Sequence, residues 1–163
     1  MKRHKIAVIG LGNTLLADEG AGLHATRILG EKLKGKEIDL VEAGTCGMNL
    51  LHQFDEREKI IFIDAGNCGI QPGEFRRFHR DEVNSLKEAK GYSLHEFDLI
   101  DFLDIAPRIR QKGNPDVVIY CIQPDEIAMS EKLSPVVEQA LPSLVEQVYD
   151  EVMLDIDKGD LIV

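Results

Sequence analysis

The sequence has no tryptophan, few aromatic side chains (6%) and only three cysteines. Cys46, Cys68 and Cys121 lie far apart with no CxxC pair, and an odd number gives no disulfide framework. A reducing cytoplasm is the simplest setting for such a chain. Apolar runs are short, none approaching the ~20 residues of a membrane span. The N-terminus, MKRHKIAVIG, places basic residues before an apolar run that stops at Gly10. That run is too short for a signal peptide and reads as a strand. Positive charge is also scarce: Lys+Arg 19 against Asp+Glu 29 gives a net charge of -10. Phosphate-rich partners need cationic surfaces, so nucleic acid and anionic membranes are disfavoured. Internal repeats, linkers and low-complexity segments are missing.

What remains is an ordinary globular composition, 44% hydrophobic and 29% charged over 163 residues. This length suits a single domain over residues 1–163 with a sizeable core. Residues 6–22, IAVIGLGNTLLADEGAG, organise the rest. Ile6, Ala7, Val8 and Ile9 form the continuous apolar run of a parallel strand covered on both faces. Gly10 and Gly12 permit a sharp exit. Asp18 and Glu19 then precede a helix, where amide N–H groups favour negative charge.

Ala21, Ala25, Ile28, Leu29 and Leu33 recur at helical spacing, and Gly35 ends that helix. Strands follow at 38–41 and 59–64, separated by a loop at 42–47 and a short helix at 48–54. Strand–helix–strand–helix–strand implies right-handed crossovers and a parallel sheet. A short strand fits 73–78. Residues 81–91 are polar, either a surface helix or a loop, and 92–96 form a second loop. Phe97, Ile100 and Leu103 separate from Asp98, Asp101 and Asp104 at helical spacing. Another apolar strand spans 116–122. Ser134-Pro135 reads as an N-cap with proline at the first helical position. In the helix that follows, Pro142 predicts a kink or a restart, and the acidic tail from Asp155 predicts fraying.

Ligands of open α/β sheets bind beyond the carboxyl ends of the strands, where strand order reverses. The first strand delivers Gly12, Asn13 and Glu19 to that edge, the second Glu42, Gly44 and Thr45, and the third Asp64. His95 lies in a loop able to fold over it. Two readings of the chemistry stand open. Carboxylates and an imidazole suit a borderline divalent transition ion. Clustered carboxylates also raise one another's pKa, so that a protonated and an ionised acid act together in hydrolysis. The bland alternatives are that Asp18 and Glu19 serve a helix N-terminus, that Asp64 caps a turn, and that His95 is an ordinary loop histidine. His4, His24, His52 and His79 have no acidic constellation and read as surface or satisfied residues. Cys121 reads as core and Cys46 and Cys68 as structural. Gly10-Leu11-Gly12-Asn13-Thr14-Leu15 lacks the third glycine of GxGxxG, which argues against a dinucleotide site, with Glu42 the one feature in its favour.

These motifs, in order, resemble the hydrogenase maturation proteases over nearly the whole chain. The resemblance rests on Gly10-Leu11-Gly12-Asn13 with Asp18-Glu19-Gly20, Gly44-Thr45, and Ile63-Asp64-Ala65. It continues through His95, Gln123-Pro124 and Leu133-Ser134-Pro135. It implies a three-layer α/β/α sandwich with a mostly parallel, five-stranded twisted sheet. It also implies an endopeptidase that trims the C-terminal extension of a nickel–iron hydrogenase large-subunit precursor after nickel insertion. Glu19, Asp64 and His95 would meet the nickel, which the precursor presents. The family is grouped with the aspartic-type endopeptidases, and Asp64 or Glu19 would activate water, directly or on the metal. Gly12, Asn13, Glu42, Gly44 and Thr45 would line the substrate, Glu42 standing where the family often has an aspartate. The implied enzyme is a cytoplasmic monomer. The alternatives are a non-hydrolytic nickel or metallocentre chaperone, a nucleotide-binding protein, and a cysteine hydrolase using Cys46 or Cys68 with His95.

Overall fold

A computed structural model describes residues 3–45, 47–82, 99–109 and 113–160. The first strand, β1 (Ile6–Leu11), is buried at every position, as its unbroken apolar run requires. It leads through a 3-10 turn at Ala17–Gly20 into α1 (Ala21–Lys32) and back to β2 (Ile38–Gly44). A 3-10 segment, Met48–Phe54, leads into β3 (Lys59–Ala65). Then come β4 (Phe75–His79), α2 (Leu99–Ile109), β5 (Asp116–Ile122) and α3 (Pro135–Asp160).

The five strands form one sheet in the order β2-β1-β3-β5-β4. All neighbours run parallel except β4, which pairs antiparallel with β5 at the edge. Side chains alternate cleanly between two cores. Val8, Ile61, Ile63, Val118 and Tyr120 face α1 and α3. Ala7, Ile9, Ile60, Phe62, Val117, Ile119 and Cys121 face the 3-10 segment and α2. Helical layers thus cover both faces, and the expected sandwich is confirmed. No helix among the described residues is long and apolar enough to cross a membrane.

Several local expectations need correction. The helix expected to kink or restart at Pro142 runs on as one element to Asp160. Leu141, Leu144, Val145 and Val148 are buried on both sides of the proline, and that packing outweighs the lost backbone hydrogen bond. Its acidic tail is not frayed at Asp155, whose carboxylate pairs with Lys59 at the start of β3. Lys59 and Arg77 also bind Glu151, which accepts the Tyr120 hydroxyl at 2.7 Å. The strand expected at 73–78 is displaced to Phe75–His79. The absence of disulfides is overturned too: Cys68 and Cys121, 53 residues apart, are bonded. Residues 83–98, and with them most of the polar segment and the loop at 92–96, lie outside the described residues.

Candidate active site

Strand order reverses between β1 and β3: the chain leaves β1 for β2 on one side and returns to β3 on the other. At such a reversal the carboxyl ends of the flanking strands, here β1 and β3, border the crevice that ligands of open α/β sheets use. Asp64, the penultimate residue of β3, sits there with 3% of its surface exposed. Glu19, from the 3-10 turn after β1, is 5% exposed.

Gly12 fixes where Glu19 stands. Its φ is +124°, and a Cβ there would lie 1.8 Å from the Glu19 carbonyl oxygen. That oxygen accepts the Asn13 amide at 3.2 Å, and the Glu19 amide donates to Leu16 O at 3.1 Å. Gly22 performs the matching task one turn later. A Cβ there would meet the carbonyl oxygens of Ile63 at 2.3 Å and Leu11 at 2.4 Å. The first turn of α1 thus lies directly on the ends of β1 and β3, with Glu19 just ahead of that turn and Asp64 next to Ile63.

The remaining expected residues divide. Gly12 and Gly44 are tied together, the amide of the first donating to the carbonyl of the second at 2.8 Å. Thr45 follows and is exposed. Asn13 uses its side-chain oxygen to accept the Leu15 amide at 3.0 Å, shaping the loop. Glu42 is exposed and bound by Arg27 of α1 through Nε at 2.9 Å and Nη2 at 2.7 Å. This pairing takes up the carboxylate that would bind a dinucleotide ribose. His95 lies outside the described residues. Among the described residues no group of three His, Cys, Asp or Glu side chains is placed to hold a metal ion. Glu19 and Asp64 remain as two hard oxygen donors.

Asp18 has a role that its sequence neighbourhood does not reveal. It is wholly buried, and its carboxylate does not serve α1. Oδ2 accepts the amides of Asp125 and Glu126 at 2.9 Å each and the Ser134 hydroxyl at 2.7 Å, while Oδ1 accepts the Ser134 amide at 2.7 Å. One carboxylate thereby holds the loop between β5 and α3 against the loop after β1. The only sequence signal was the order Asp18-Glu19, which does not say which acid turns inward.

The histidines also depart from expectation. His79 bonds Asp116 at 2.7 Å and lies 3.6 Å from Asp81. Nε2 of His24 is buried without a hydrogen-bond partner among the described residues. Burial, followed by the Arg27 charge, lowers its pKa and favours the neutral ring. The disulfide belongs to the same neighbourhood. Cys121 is the register partner of Asp64 on the adjacent strand. Gln123 accepts the Cys68 amide at 2.8 Å, so the loop leaving Asp64 is clamped to β5 twice.

Known proteins resemble this chain in sequence and fold. The profile of the HycI hydrogenase maturation protease family matches residues 24–151. The hydrogenase expression/formation protein HoxM of Cupriavidus necator is 30% identical, over 89% of this chain and 72% of its own. The hydrogenase maturating endopeptidase HybD of E. coli superposes with a TM-score of 0.78 at 27% identity, covering 93% of both chains. The NiFe hydrogenase maturation protease HybD of Thermococcus kodakarensis gives 0.75 at 29% identity, covering 90% of this chain and 97% of that one.

Proposed function

Since the chain belongs to the hydrogenase maturation protease family, we propose that it removes the C-terminal extension of a nickel–iron hydrogenase large-subunit precursor once nickel is in place. The observation that supports this most is that two nearly buried carboxylates, Glu19 and Asp64, come from the ends of β1 and β3, the two strands between which strand order reverses. Two oxygen donors leave most of a metal's coordination positions open. Such a pair suits a nickel ion that arrives as part of the substrate, with His95 as a third contact.

In the hydrolytic step a carboxylate at the crevice takes a proton from water. The hydroxide adds to the scissile carbonyl carbon, the C–N bond breaks, and the proton passes to the departing nitrogen. Low solvent exposure strengthens the electrostatic part of this step. Gly12, Asn13, Gly44 and Thr45 supply backbone and small side chains along which the substrate lies. Glu42 acts there only through its pair with Arg27. We place the reaction in the cytoplasm and take the enzyme as a monomeric single domain. Both disulfide sulfurs belong to residues 1% exposed, which shields the bond from cytoplasmic thiols.

The test is the intact mass of a hydrogenase large-subunit precursor after incubation with this protein, with and without nickel loaded. Loss of one C-terminal peptide from the nickel-loaded sample alone is expected. Stable binding without shortening overturns the protease reading and favours a metallocentre chaperone.

A further inference from the structure

Beside the crevice the chain exposes apolar side chains that its own core does not use. Leu15, Ile127 and Met129 are 52%, 54% and 84% exposed. They come from two loops joined by backbone bonds: Ser130 N donates to Leu15 O at 3.0 Å, and Ala17 N to Ser130 O at 2.7 Å. Leu16 and Ser130 form a parallel bridge, so Leu15 and Met129 each precede one of the paired residues. The lip is fixed rather than loose. Asp18 holds the second loop from inside, and Ala17 keeps a left-handed φ of 48° that only a well-determined setting maintains. It is continuous with the site, because the Glu19 amide bonds Leu16 O. On the second loop Asp125, Glu126 and Glu131 are exposed, with Lys132 of opposite sign beside them.

We propose that Leu15, Ile127 and Met129 form a docking lip for the protein substrate, taking an apolar residue of a segment that carries basic side chains nearby. The proposal rests on the protease reading and names the feature that selects the segment delivered to Glu19 and Asp64. Apolar anchors supply the affinity and the acidic rim steers and orders the segment. An extended segment threaded over the lip reaches the crevice without disturbing the fold, since none of the three side chains belongs to either core.

The test measures binding and cleavage of the nickel-loaded hydrogenase large-subunit precursor by wild type and by the Leu15→Ser, Met129→Ser double variant. Leu154→Ser, exposed on α3, is the control. The double variant is expected to raise Kd and KM about tenfold or more, leaving kcat and the melting temperature unchanged. The control should match wild type. Asp125→Asn with Glu126→Gln should raise Kd severalfold and flatten its salt dependence. A double-variant Kd and KM within twofold of wild type, with cleavage intact, overturns the lip and leaves the protease standing. A wild type that neither binds nor cuts the precursor overturns both. Wild type that sediments as a dimer, with the double variant monomeric, assigns the lip to a second copy and overturns the proposal.

Discussion

Asp18 and Ser134, 116 residues apart, meet through two contacts of 2.7 Å, amide to Oδ1 and hydroxyl to Oδ2. Both are buried, and the same carboxylate accepts two further amides. A carboxylate that satisfies four donors is difficult to replace, because each donor left without an acceptor costs its own desolvation. Asp18→Asn keeps the shape but turns an NH2 toward donors. It is expected to lower unfolding free energy by about 2–4 kcal/mol in urea denaturation. Ser134→Ala loses the hydroxyl contact alone, and about 1–2 kcal/mol is expected. The double variant should cost less than the sum, since both remove one contact. Additive losses would show that the two residues act separately.

Gly12 and Gly35 both have positive φ, +124° and +81°, yet differ in surroundings. At Gly35 an added Cβ meets nothing within 4 Å, and Ala there should cost about 1 kcal/mol from backbone strain alone. At Gly12 the Cβ would lie 1.8 Å from Glu19 O, so the turn carrying Glu19 must move. Gly12→Ala is expected to cost about 3 kcal/mol or more and to lower cleavage at least 100-fold in whatever fraction stays folded. Equal effects of the two substitutions in denaturation and cleavage assays would remove Gly12 from the positioning of Glu19.

How much of this was legible beforehand follows from the range of each interaction. β1, β3 and β5 were readable because both faces of a central parallel strand are covered, leaving unbroken runs such as Ile60-Ile61-Phe62-Ile63. The placement of Glu19 and Asp64 near the carboxyl edge of the sheet was readable because residues at strand ends fall there whatever the details. Asp18 was misjudged because its partners lie over a hundred residues away, and local rules offered a nearer helix terminus. Pro142 was misjudged because helix propensity is local, whereas the Val137 to Val152 stripe is held by β1, β3 and β5. No periodicity marks the Cys68–Cys121 pair, which only the placement of β5 beside β3 creates. Leu15, Ile127 and Met129 carry no periodic signal in the sequence, and only their exposure marks them.

The disulfide gives a direct chemical prediction. Of three cysteines, Cys68 and Cys121 are joined, which leaves Cys46 as the remaining thiol. Denatured without reductant, the protein should titrate one thiol, and three after reduction. Closing a loop of 53 residues is worth up to about 4 kcal/mol in the chain-entropy account. Cys68→Ser with Cys121→Ser is expected to lower the melting temperature accordingly. Three thiols in the unreduced denatured protein would show that the bond does not form.

At the opposite end of the sheet Glu151 predicts an acid limb. Burial alone would raise its pKa, but hydrogen bonds from Arg77, Lys59 and Tyr120 outweigh burial and hold it at about 2. A carboxyl depressed on folding contributes stability above its unfolded pKa near 4.5, and that contribution disappears as pH falls toward 2. The full shift corresponds to about 3 kcal/mol, and about 2 is expected because the cluster borders an open groove lined by Lys59, Arg77 and Glu151. Glu151→Gln should be less stable than wild type at pH 7. Its stability should also fall less steeply between pH 4.5 and 2. Parallel pH profiles from denaturation at each pH would place the acid limb elsewhere.

The two crevice carboxylates predict a separation of activity from stability. Burying a carboxylate costs desolvation, a cost that folds retain where the charge serves chemistry. Asp64→Asn and Glu19→Gln keep volume and remove the charge, so neither opens a cavity in the cores beneath. Cleavage of the nickel-loaded precursor should fall at least 100-fold in each, with the unfolding free energy changed by less than about 1 kcal/mol. The two losses should combine to less than their product, because both act on the same reacting centre. If one variant cuts at the wild-type rate while the other is inactive, the surviving carboxylate is the proton acceptor and its neighbour only shapes the crevice. If either unfolds, its carboxylate belongs with Asp18 among the residues that hold the loops together.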